Sequence, residues 1–151
     1  MQKEAKNFEV CIRAIILSKN KILACWSREK KYYFFPGGHI DFEESAQQAL
    51  KRELKEELHI LVRKPEFIGT VENIYVEDRQ KHHEINLVFS AKADKIKTDS
   101  RENHIGFELI DIKKLSKTKI YPIALKKAII RWLKDKKPFW ASQIYNNSLV
   151  I

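Results

Sequence analysis

Cysteine is scarce: 151 residues hold only Cys11 and Cys25. Two cysteines make no disulfide framework, and their spacing matches no metal site. Both lie inside apolar runs, which predicts reduced, buried strand residues. Long apolar runs are missing as well, so no transmembrane span and no membrane partner are expected. The first residues, MQKEAKNFEV, carry charges where a signal peptide needs an apolar core. Cytoplasm is therefore the expected location. Internal repeats, low-complexity tracts and Pro/Ser/Gly linkers are absent too. The length suits one domain over 1–151 with a real core, and is too short for two comfortable ones.

What is present is a globular composition, 44% apolar and 11% aromatic. The net charge is +9. Residues 113–151 carry ten Lys/Arg against Asp135 alone, while residues 1–112 carry nineteen charges of each sign. The excess therefore belongs to a basic C-terminal helix and tail from about residue 113. Such a stretch is either a solvated helix face or an attractor for nucleic acid or an anionic substrate.

Phe8–Leu17 and Ile22–Ser27 read as a hairpin around Ser18-Lys19-Asn20-Lys21. Tyr32–Phe35 is a short aromatic run ended by Pro36-Gly37-Gly38, a strong breaker. Residues 45–58 have helical periodicity. Phe67–Glu77 and Ile85–Ala93 read as strands joined by a polar loop, Asp78 to His83, and Phe107–Ile112 as another strand. Ile123–Lys136 is an amphipathic helix with Ala124, Leu125, Ala128, Ile129, Trp132 and Leu133 on one face. Intermixed strands and helices predict an α/β sandwich around a mixed sheet.

The helix over 45–58 breaks the usual rule. With Ala46 at 0° and steps of 100°, its apolar residues fall between roughly −60° and +120°. Glu53 and Glu57 fall near −20° and about +20°, inside that stripe, and Glu56 near its edge at about −80°. Buried charge is costly unless paired or bound to metal. Like charges four residues apart also destabilise a helix. A divalent cation offsets both costs, and carboxylate oxygens suit Mg²⁺ (or Mn²⁺). Rim glutamates paired with Lys or Arg are the plainer alternative. Pro36-Gly37-Gly38 precedes this helix. Glycine lets backbone approach a ligand closely, and amides beside a helix N-terminus hold phosphate oxygens.

These residues resemble the Nudix box: Gly, five residues, Glu, seven residues, then Arg-Glu-apolar-x-Glu-Glu-x-Gly-apolar. Gly38, Glu44 and Arg52-Glu53-Leu54-Lys55-Glu56-Glu57-Leu58-His59-Ile60 match its spacing throughout. Phe35-Pro36-Gly37-Gly38 fits the flank, and the resemblance extends over about residues 8–135. One position departs. His59 stands where the family has glycine, at a helix end where positive φ is common and tolerated by histidine. The helix cap is therefore expected to survive at some strain. The resemblance implies a Nudix-type α/β/α sandwich with a mixed β-sheet. It also implies metal-dependent hydrolysis of a phosphoanhydride bond in a nucleoside diphosphate derivative, with ADP-ribose the leading example. Glu53, Glu56 and Glu57 would then be catalytic residues binding the cations, with Gly37 and Gly38 supporting metal and phosphates. Glu44 and Arg52 would orient the helix as structural partners, Glu44 being a possible further ligand.

The general base is not fixed by the motif. Glu102 is the first candidate and Glu108 the second. Arg28 and His39 are candidate phosphate contacts, His82 and His83 candidate loop residues over the substrate, and Trp26, Tyr32 and Phe34 candidate stacking partners. The competing activities are a nucleoside-triphosphate pyrophosphohydrolase, an RNA 5′-end pyrophosphohydrolase suggested by the basic tail, and a catalytically silent nucleotide-binding module. A monomer or compact homodimer is expected.

Overall fold

The computed structural model describes residues 8–96, 105–144 and 149–150. The strands are β1 (Glu9–Ser18), β2 (Lys21–Ser27), β3 (Tyr32–Phe34), β4 (Gly37–His39), β5 (Val62–Glu77), β6 (Gln80–Ala93), β7 (Ile105–Asp111), β8 (Phe139–Gln143) and β9 (Leu149–Val150). The helices are α1 (Ala46–Leu58) and α2 (Ile123–Asp135), with a 3-10 turn over Ile112–Lys117. No helix among the described residues is long and apolar enough to cross a membrane.

The strands follow the order β3-β2-β1-β6-β5-β8-β9, with β4 beside β1 and β7 beside β2. β1 runs parallel to β6 and β5 parallel to β8, while the other pairings are antiparallel. The sheet is thus mixed, with a helix on each side. Alternation along β1 makes the layers: Ile12, Ala14 and Ile16 meet Ala49, Leu50, Leu54 and Leu58 of α1 in one core. Ile15 joins Leu125, Ile129 and Trp132 of α2 in the other.

Three expectations are corrected. Pro36-Gly37-Gly38 does not merely end the aromatic run, because Gly37–His39 is itself β4 and pairs with Cys11–Arg13. The loop expected from Asp78 to His83 shrinks to the turn at Asp78-Arg79. His82 and His83 are paired strand residues opposite Tyr75 and Ile74, so neither sits on a closing loop. β5 also starts earlier than expected, at Val62. The basic region from about 113 holds, besides the expected helix α2, the 3-10 turn and the unforeseen strand β8. Its lysines lie on the outer faces of these elements, and Lys113, Lys114, Lys117, Lys127, Lys134, Lys136 and Lys137 are all exposed.

Candidate active site

Helix α1 begins with a complete capping box. Ser45 accepts from the Gln48 N–H and the Gln48 side chain accepts from the Ser45 N–H. It ends at His59, in the left-handed region at φ 53°, whose N–H reaches the Leu54 and Lys55 carbonyls. The cap is kept without glycine, as expected. Within the helix, Glu53 and Glu57 are half-buried at the margin of the apolar stripe and Glu56 is exposed.

Arg52 ties this helix to the glycine loop. Its Nε and one terminal nitrogen donate to the two Glu44 oxygens at 2.7 and 2.8 Å, a bidentate pair. Its other terminal nitrogen donates to Glu53 at 2.8 Å and to Glu56 at 3.5 Å. The His39 carbonyl accepts a further bond at 3.0 Å. The guanidinium holds the Glu44 carboxyl down to about 2, against an ordinary 4.5. The structure therefore brings Glu44, Arg52, Glu53 and Glu56 together around the loop after β4.

Glycine is required twice in β4 by close approach. A Cβ on Gly38 would fall 2.4 Å from the Glu53 carboxyl carbon, and one on Gly37 would fall 1.9 Å from the Ile12 carbonyl oxygen. The backbone is pressed against both the carboxylate and the sheet. The carboxylates at positions 53, 56 and 57 have the all-oxygen chemistry that a hard divalent cation takes. Among the described residues no three acidic, histidine or cysteine side chains are gathered around one point. Glu53 and Glu56 lean on Arg52 instead.

Other candidates separate from this cluster. The His39 ring turns outward to Glu9 at 3.4 Å, and His82 meets the same carboxylate at 3.1 Å. The His83 ring lies against Phe8, centroids 4.5 Å apart. Arg28 lines a small pocket with Trp26, Tyr33, Gly106 and Glu108, apart from the large groove described below. Glu108 accepts from the Tyr33 hydroxyl, which pushes that phenol up to about 12. Glu102 lies outside the described residues. Both cysteines are free and buried. Burial is the main cause raising each thiol to about 12.

A family model of the NUDIX domain matches residues 8–133, most of the chain. The chain belongs to the Nudix family. Among curated proteins, an 8-oxo-dGTP diphosphatase of Buchnera aphidicola subsp. Acyrthosiphon pisum (strain APS) is 42% identical over 67 residues. That match takes in 44% of this chain and 54% of the relative, so the chain spans about half the length of the curated relatives it matches. Among solved structures, a MutT protein from Methanosarcina mazei Go1 has a TM-score of 0.74 at 21% identity, over 89% of this chain and 99% of the other. An ADP-ribose pyrophosphatase from Streptococcus suis 89-1591 has a TM-score of 0.64 at 15% identity, over 89% and 96%. These two establish the shared fold. The chain thus carries a NUDIX domain over residues 8–133, in a family that generally uses divalent metals.

The sequence reading missed a polar groove on the α2 side of the Nudix sheet. It has a volume of about 860 Å³, and Arg13, Asn73, Tyr75, Glu84 and Gln143 are among its lining residues. Tyr32 and Phe34, named as stacking candidates, line it as well, together with Tyr121. A signal was available. Arg13 interrupts the apolar run of β1, and Glu84 and Asn86 alternate in β6, so all three project to one face.

Proposed function

We propose that this Nudix enzyme hydrolyses a nucleoside triphosphate to the monophosphate and pyrophosphate. The observation that carries the reading is the groove and its junction with the glycine loop. Arg13 lies beside Gly37 in the strand register, lines the groove, and donates to the Phe35 carbonyl at 3.5 Å. A nucleoside in the groove would extend its phosphates past Arg13 toward Gly37, Gly38 and the carboxylates of α1. The names of the curated relatives support the same substrate class.

In this reading Glu53, Glu56 and Glu57 would hold the cation. When bound, the metal supplies charge neutralisation on the phosphates and lowers the pKa of water. The protein's own part is positioning, which dominates phosphoryl chemistry. Arg52 fixes Glu53 and Glu56 relative to the loop, and Glu44 fixes Arg52. Gly37 and Gly38 let their strand pack against the Ile12 carbonyl and the Glu53 carboxylate, and Tyr32 and Tyr121 offer aromatic faces to a base.

The second reading is an ADP-ribose-like nucleoside diphosphate derivative. The groove volume favours it, being ample for a ligand larger than one nucleoside. Product analysis separates the two. Incubation with Mg²⁺ or Mn²⁺ and a panel of dGTP, 8-oxo-dGTP, other triphosphates and ADP-ribose is expected to yield monophosphate and pyrophosphate from a triphosphate. Turnover of ADP-ribose alone would replace the triphosphate reading.

A further inference from the structure

The floor of the groove holds a carboxylate that the hydrolytic chemistry does not use. Glu84, on β6, is 6% exposed. A buried carboxylate needs strong, short hydrogen bonds or a close opposite charge. Glu84 has neither. Asn73 and Asn86 donate to one of its oxygens at 3.4 and 3.3 Å. Tyr75 donates to the other at 3.3 Å, and the Cys11 thiol lies 3.9 Å from it. The nearest cation, Arg13, stands off at 3.8 Å, because its Nε is engaged by Asn86 at 3.0 Å. Every contact is longer than the 2.7–2.9 Å typical of a charge-assisted bond. Both oxygens thus have protein donors, all at long range, and the carboxylate lines the groove, where a ligand with better-placed donors would displace them.

Aromatic side chains lie around the same space. Tyr32 and Tyr121 line the groove with their rings edge to face, centroids 4.8 Å apart. Tyr75 is held by stacking on His82 at 4.8 Å. A planar heterocycle suits such walls. Its polar edge must offer hydrogen-bond donors to a carboxylate, and two adjacent donors match the two oxygens best. Guanine presents such an edge through N1–H and its 2-amino group. Adenine offers a ring-nitrogen acceptor there, which the carboxylate repels.

We infer that Glu84 is the specificity-determining residue for the base, reading the paired N–H donors of a guanine ring seated in the groove. The inference rests on the triphosphate reading for its biological use, though not for its test. 8-Oxoguanine keeps the same donor edge, so Glu84 selects the guanine ring without separating the oxidised from the normal base. Arg13 is a positioning residue that orients Asn86 and, through it, Glu84.

The test is calorimetric binding of GMP, IMP and AMP to the full chain without divalent metal. IMP differs from GMP only in lacking the 2-amino group. GMP is expected to bind about tenfold or more tightly than IMP, the size of one hydrogen bond to a charged group. In Glu84→Gln that ratio should fall close to one, because the new amide turns a donor toward the ligand's donors. A merely structural Glu84 would weaken GMP and IMP alike and leave their ratio unchanged, which overturns the inference. Equal GMP and IMP affinity in the native protein also overturns it, whether or not the variant folds. Turnover of triphosphates without regard to base would leave the hydrolase reading standing and remove this one. GMP selectivity lost in Glu84→Gln, without triphosphate turnover, would do the reverse.

Discussion

Gly38 shows how much the site depends on one missing methyl. A Cβ there would collide with the Glu53 carboxyl group, the mobile end of a side chain. Gly38→Ala should therefore fold normally while displacing Glu53. A shift of about 1 Å can cost about a hundredfold in turnover, so kcat should fall on that scale with little change in melting temperature. His59 makes the opposite case. It occupies φ 53° at the end of α1, where a side chain costs about 1 kcal/mol and glycine costs little. His59→Gly should raise the melting temperature by about 2–4 °C and leave kcat unchanged. Glu44 gives a pH signature. Its folded pKa lies near 2 and its ordinary value is 4.5. A depressed carboxylate contributes stability that is fully present above the ordinary value and lost as pH falls toward the folded one. Thermal stability should therefore drop between about pH 4.5 and about pH 2. Glu44→Gln should flatten that part of the profile, as read by melting curves across pH.

Helix α1 presents its carboxylates only because its start is fixed. Ser45 and Gln48 satisfy each other's backbone donors, and Ser45→Ala should cost about 1 kcal/mol in denaturant unfolding. This helix was legible in the sequence, because a period of 3.6 set against misplaced glutamates is a strong pattern. The strands were less so. Gly37–His39 reads as a turn by composition, yet β1 recruits it as a strand through backbone pairing, which side-chain pattern does not record. Gln80–His83 looks polar and loop-like. It is drawn into the hairpin because β5 and β6 pair up to the turn at Asp78-Arg79. β8 is short, and its place beside β5 depends on a parallel contact across a long stretch of chain.

For the whole molecule, the sandwich places two kinds of chemistry on opposite faces of one sheet. The α1 face carries the carboxylates and the α2 face the groove, where Arg13 pairs in register with Gly37 of β4. The first was legible because it lies within one contiguous motif. The groove was not, since Arg13, Asn73, Glu84 and Gln143 come from four strands and meet only when the sheet forms. The basic excess after residue 113 is in good part the solvated outer surface of packed elements, one of the two readings its charge allowed. The central claim is that the carboxylates of α1 hold the ion for phosphoanhydride hydrolysis. Its most direct test is nucleotide turnover with Mg²⁺ or Mn²⁺ by the native chain and by Glu57→Gln, both verified as folded. The native chain should release pyrophosphate from at least one triphosphate, and Glu57→Gln should lose about a hundredfold or more of that rate. Full activity in the variant, or no turnover of any nucleotide by the native chain, would contradict the account.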